Sequence, residues 1–90
     1  MKIVVKDFYA DWCGPCRMQK PVIHELEEEM KDVKFEKINI DENQDKASEA
    51  GVMSIPTIII EADGKEVNRF VGFTSKEQLE KSIENAKSKK

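Results

Sequence analysis

The order of apolar blocks predicts a small α/β domain built on a mixed sheet, and three observations carry that expectation. Two aliphatic, β-branched blocks, Ile3-Val4-Val5 and Ile58-Ile59-Ile60, have the composition of buried strands. Between them runs a long segment with helical apolar spacing, in which Val22, Leu26 and Met30 share one stripe while Glu25 and Glu27 to Glu29 face water. Near the end, Asp63-Gly64 separates two extended segments and signals a hairpin turn.

Taken in order, residues 2–9 form a strongly apolar run ending in Phe8 and Tyr9, read as a buried strand. Asp11-Trp12-Cys13-Gly14-Pro15 breaks it, and a helix follows to about Met30. Pro15 suits the first turn of that helix, where a missing N–H is harmless. Pro21 falls inside it and is expected to kink it, because proline cannot bond the carbonyl of Arg17. Val33 to Ile40 reads as a second strand. Asp41-Glu42-Asn43 then leads into a short polar helix ending near Gly51, a left-handed stop. Thr57 to Glu61 is a third strand and Glu66 to Val71 a fourth. Thr74-Ser75-Lys76-Glu77 has the pattern of a capping box, with Leu79, Ile83 and Ala86 as the apolar stripe of a last helix. The resulting string is β-α-β-(α)-β-β-α. Its first two strands are expected to be parallel through a right-handed crossover, and its last two an antiparallel hairpin.

Ninety residues with no linker, repeat or low-complexity stretch predict one domain over residues 1–90, with 87–90 as a frayed basic tail. The net charge is −3, from 15 Lys and Arg against 18 Asp and Glu, which argues against the concentrated basic face of a nucleic-acid binder. No apolar run approaches the roughly 18 residues of a membrane span. The apolar stretch after Met1 is too short before charge resumes for a signal peptide, so a cytoplasmic protein is expected.

The two cysteines, Cys13 and Cys16, are too few and too close to staple a small secreted fold. A zinc site needs about four ligands, and His24 is the one histidine, placed on the charged side of its helix where a surface role is expected. A metal half-site completed by a second chain and an inert structural pair are weaker readings than redox chemistry. The three-residue offset puts both thiols on one helix face, close enough to bridge. Cys13 falls at the first turn, where unpaired N–H groups and the positive end of the helix dipole favour a thiolate. Cys16, one turn further in, is expected to be more sheltered. An exposed attacking thiol backed by a resolving thiol is what disulfide exchange requires.

The segment Asp7-Phe8-Tyr9-Ala10-Asp11-Trp12-Cys13-Gly14-Pro15-Cys16-Arg17-Met18 closely resembles the active-site segment of the thioredoxin family. The resemblance continues through Pro21, Lys37-Ile38-Asn39-Ile40-Asp41, Gly51-Val52-Met53-Ser54-Ile55-Pro56-Thr57, Asp63-Gly64 and Val71-Gly72, in order over nearly the whole chain. It implies a thioredoxin-like fold with a four-stranded mixed sheet in the order 2-1-3-4, and a protein-disulfide reductase with Cys13 as nucleophile and Cys16 as resolving thiol. Asp7 matches the family's buried carboxylate, which assists proton transfer at the resolving cysteine. An Asp on so apolar a strand would be desolvated and its pKa raised; the plainer reading is a tolerated strand residue paired with Lys37. Lys37 matches a lysine near that carboxylate, or is an exposed strand lysine.

Pro56 matches the family's cis-proline opposite the cysteines, and the backbone of Ile55 is implied to bond an extended substrate strand. Trp12, Gly14, Pro15 and Gly72 match further parts of the docking groove, although Trp12 could be a packing residue and Gly72 an ordinary strand-end glycine. No cofactor is implied beyond the reversible disulfide. The implied partners are disulfide-containing proteins and a thioredoxin-reductase-type electron donor, with no nucleic acid or membrane, and the protein is expected to be a monomer. Two features depart from the family pattern: its usual first strand and helix have no counterpart in the 90 residues, and Tyr9 stands where many members carry a second tryptophan. An oxidase or isomerase is the alternative within redox chemistry, but Gly14-Pro15 resembles reducing members. A binding scaffold without turnover is the alternative outside it. The Cys-Pro-Tyr/Phe-Cys motif usual in glutaredoxins is missing.

Overall fold

Strand β1 (Ile3–Tyr9) occupies the middle of the sheet, as its β-branched, doubly buried sequence requires. In the computed structural model, which describes residues 1–88, β2 (Lys34–Asn39) pairs parallel to β1, with Val4 opposite Lys34 and Tyr9 opposite Asn39. β3 (Thr57–Ala62) pairs antiparallel on the other side, with Ile3 opposite Ala62, and β4 (Lys65–Val71) pairs antiparallel to β3. The order β2-β1-β3-β4 is the one expected. At the hairpin, Asp63 and Gly64 both take positive φ, 51° and 85°, and the Asp63 carboxylate accepts the Lys2 N–H at 2.8 Å.

Strand alternation divides the interior in two. Ile3 and Val5 of β1 and Ile58 and Ile60 of β3 point to the face covered by α1 (Gly14–Glu29) and α3 (Lys76–Ser88), where they meet Leu26 and Leu79. Phe8, Ile38 and Ile59 face the other way and are covered by Ala47 of the short helix α2 (Gln44–Glu49). Asp7 continues the row of Ile3 and Val5, so the strand's own period aims a carboxylate at the α1 face.

The structure shifts three expectations. The buried face of α1 is Cys16, Gln19, Ile23 and Leu26, with Val22 and Met30 only flanking it, because the stripe is set by Cys16 and includes a polar residue. The capping box of α3 lies one residue later than expected: Gln78 Oε1 accepts the Ser75 N–H and Ser75 Oγ accepts the Gln78 N–H, while Thr74 is buried and engaged elsewhere. Lys87 and Ser88, expected in the frayed tail, continue α3, and Lys87 pairs with Asp32 at 2.9 Å; Lys89 and Lys90 lie outside the described residues. α1 runs on through Pro21 to Glu29. Its last turns are tied to α3 by Lys76, whose ammonium reaches Glu25 at 3.1 Å and Glu29 at 2.6 Å.

Ile58 of β3 is one of the fully buried residues of the main core. Ile58→Ala is expected to destabilise the protein by about 2–5 kcal/mol in urea unfolding. Glu84→Gln, on the exposed side of α3, is expected to change stability by no more than about 0.5 kcal/mol.

Candidate active site

The chain leaves β1 at Tyr9 and enters α1 at Gly14 through a single tight turn, in which the Cys13 N–H donates to the Ala10 carbonyl at 3.2 Å. Cys13 has extended backbone angles and is the N-cap, its Sγ accepting the Cys16 N–H at 3.2 Å. The side chain a serine or asparagine would supply at this position is here a sulfur, held against the positive end of the helix. Pro15 lies in the first turn, as expected. Cys13 and Cys16 are joined in a disulfide with their Cα atoms 5.2 Å apart.

The expected difference in exposure between the two cysteines is absent in this oxidised state, where each is 5% exposed. Their surroundings differ instead. Cys13 Sγ receives the helix N–H and lies 3.9 Å from the Ile55 carbonyl oxygen. Cys16 opens on a cleft of about 250 Å³ whose walls include Asp7, Tyr9, Arg17, Lys20 and Lys37.

Asp7 is only 5% exposed, and its Oδ1 has no hydrogen-bond partner among the described residues. Burial pushes its carboxyl up from the ordinary 3.8 to about 6, and the charge of Lys37 pulls in the opposite direction more weakly. Lys37 sits opposite Asp7 in the β1–β2 register but is exposed, and its ammonium pairs with Glu27 at 2.6 Å. It therefore acts on Asp7 as a nearby charge, and the direct Asp7–Lys37 pair considered from sequence does not form. His24 is exposed and 3.6 Å from Glu28, the surface role expected of it.

Three further segments gather around the disulfide. The Ile55–Pro56 bond is cis, and the Pro56 carbonyl accepts the Gly72 N–H at 2.7 Å. Gly72 has φ +93°, a conformation that side chains rarely adopt, so the glycine is there for its backbone. Trp12 is 66% exposed, and its indole N–H donates to Asp41 at 2.9 Å, which rules out the packing role. Gly14 and Pro15 are exposed at the helix start. Met53, Val71 and Phe73 are large apolar side chains left in solvent beside them in the chain, at 97%, 64% and 46% exposure.

The thioredoxin family profile matches residues 1–85. A thioredoxin from Bacillus subtilis is 50% identical over 82 residues, which is 90% of this chain and 79% of that protein. The chain belongs to the thioredoxin family.

Among solved structures, a mutant thioredoxin from Halobacterium salinarum superposes with a TM-score of 0.92 at 43% identity, over 99% of this chain and 78% of that one. A chain solved in work on the thiol resolving mechanism of yeast mitochondrial 1-Cys peroxiredoxin via glutathione/thioredoxin systems gives 0.87 at 37% identity, over 93% and 78%. As in other thioredoxins, the redox centre is the Cys13–Cys16 disulfide, and the activity is thiol–disulfide exchange in the reducing direction. Sequence reading did not single out Asp41, which holds Trp12, or Gln19, whose polar character inside a helix suggests a surface position.

The buried Asp7 makes stability depend on pH with a definite sign. Unfolded, it ionises near 3.8; folded, near 6. Between these values the folded protein holds a proton the unfolded chain has lost, so stability falls as pH rises through the window. The full penalty, about 3 kcal/mol, applies above it. Asp7→Asn in the oxidised protein is therefore expected to raise the unfolding free energy in urea by about that amount near neutral pH, with the gain vanishing by about pH 4. A pH-independent difference would contradict this account.

Proposed function

We propose that the protein is a reductant of protein disulfides in which Cys13 attacks, Cys16 resolves and Asp7 serves the resolving thiol. The observation that carries the division of labour is the asymmetric setting of the two sulfurs: the helix N–H reaches Cys13, and the cleft with the desolvated carboxyl reaches Cys16. In the dithiol form, the Cys13 thiolate attacks one substrate sulfur, the substrate disulfide breaks, and its leaving thiolate takes a proton from solvent. The Cys16 thiol then gives its proton to ionised Asp7 through a water in the cleft and attacks Cys13 Sγ. The Cys13–Cys16 disulfide forms, the second substrate sulfur leaves as a thiolate that takes a proton from solvent, and two electrons have passed to the substrate.

The substrate docks as an extended strand along the Ile55 backbone, between Trp12 with Gly14-Pro15 on one side and Pro56 with Gly72 on the other. Lys37 moderates the basicity of Asp7. Residues 1–90 act as one domain and as a monomer. The setting is a reducing compartment such as the cytoplasm, where a thioredoxin-reductase-type donor returns the disulfide to the dithiol. A peroxiredoxin, the protein named with one structural relative, belongs to the proposed substrate class.

Cys16→Ser is expected to accumulate a mixed disulfide through Cys13, detected by mass spectrometry, and Cys13→Ser to reduce insulin disulfides no faster than the uncatalysed background. Full insulin reduction by Cys13→Ser would overturn the assignment. Asp7→Asn is expected to slow release from the mixed disulfide by up to about 10²-fold while leaving its formation intact, because only the second step needs the base.

A further inference from the structure

Gln19 is a polar side chain that the exchange mechanism does not use, yet it is fully buried, one helical turn beyond Cys16. Burying an amide is unfavourable unless both its ends are bonded. Both are, and to the same residue: Nε2 donates to the Thr74 carbonyl at 2.9 Å, and Oε1 accepts the Thr74 N–H at 2.8 Å. Residues 72–75 join β4 to α3 outside helix and strand, and Thr74 is only 3% exposed. Its backbone therefore needs partners that no ladder supplies, and Gln19 provides them.

The clasp continues toward the sulfurs. Thr74 Oγ1 donates to the Gly72 carbonyl at 3.1 Å, the Gly72 N–H donates to the Pro56 carbonyl at 2.7 Å, and the Ile55 carbonyl lies 3.9 Å from Cys13 Sγ. A series of short contacts thus leaves the helix bearing Cys16, passes through the segment carrying Val71 and Phe73, and returns to Cys13. A leucine at position 19 would fill the same space but release the Thr74 backbone, freeing that segment to move relative to the dithiol.

We propose that Gln19 is a positioning residue for substrate docking: by clasping Thr74 it holds the Val71–Phe73 wall at a set distance from the dithiol, and so governs affinity for protein disulfides without touching either sulfur. The proposal rests on the groove reading above. A small disulfide that needs only the sulfurs does not depend on that wall, whereas a folded substrate does.

The test compares Gln19→Leu with the unaltered protein on insulin and on the small aromatic disulfide DTNB. The KM for insulin is expected to rise about tenfold, the loss of two net hydrogen bonds, while kcat and the DTNB rate stay within about twofold. An unchanged insulin KM, or an equal loss on both disulfides, would overturn the proposal. If Gln19→Leu does not fold, Thr74→Val decides: it cuts only the link to Gly72 and is expected to raise the insulin KM about threefold with DTNB unaffected, and no rise overturns it. Failure of the groove reading itself would appear differently, as an insulin KM that Trp12→Ala leaves unchanged.

Discussion

The passage from β1 into α1 is the constraint on which the site depends. β1 is buried on both faces and α1 packs across one of them, so the chain must turn from strand to helix within Ala10 to Cys13. That turn leaves the first N–H groups of the helix unpaired, and the Cys13 sulfur is the side chain that meets one of them. Capping and activation are thus one interaction. The group that satisfies the helix end is the group whose negative charge the helix end favours.

The same central strand explains why Asp7 is unusual. Its side chain falls on the row of Ile3 and Val5, its Oδ1 meets no partner among the described residues, and burial holds the carboxyl protonated well above its ordinary range. Its unpaired state lowers stability at neutral pH, and the fold tolerates that because the main core around Ile58, Ile60, Leu26 and Leu79 is closed and apolar.

The surroundings of the disulfide are assembled from segments far apart in the chain. Trp12 follows β1, Ile55 and Pro56 precede β3, and Gly72 follows β4. Hydrogen bonds hold each in place: Trp12 donates to Asp41, Gly72 to Pro56, and Gln19 clasps Thr74 just beyond Gly72. Arg69 adds a further tie, pairing with Glu66 at 2.8 Å and donating to the Ala50 carbonyl at 2.6 Å at the end of α2, just before the proline loop. The apolar surface is left exposed while the backbone beneath it is held.

Periodicity and punctuation in the linear chain were enough for the elements, the Cys13–Cys16 pair and the elevated Asp7, because each depends on neighbours in sequence or on one strand's alternation; the strand order came from family likeness alone. The Asp63-Gly64 turn and the Gly51 stop, at φ 68°, are of the same local kind. Folding decided the rest. Gln19 reads as a surface residue until α3 brings Thr74 over it, and Ser75 rather than Thr74 caps that helix because Thr74 is already committed. Lys37 faces Asp7 in register yet turns to Glu27, since a solvent-exposed ammonium bonds the carboxylate it can reach without being desolvated. The two cysteines share equal burial but not equal surroundings, a distinction drawn by the Ile55 carbonyl and by the cleft, which come from residues remote in the chain. Local chemistry can be read residue by residue; the partners of a buried polar group exist only once distant backbone has been packed against it.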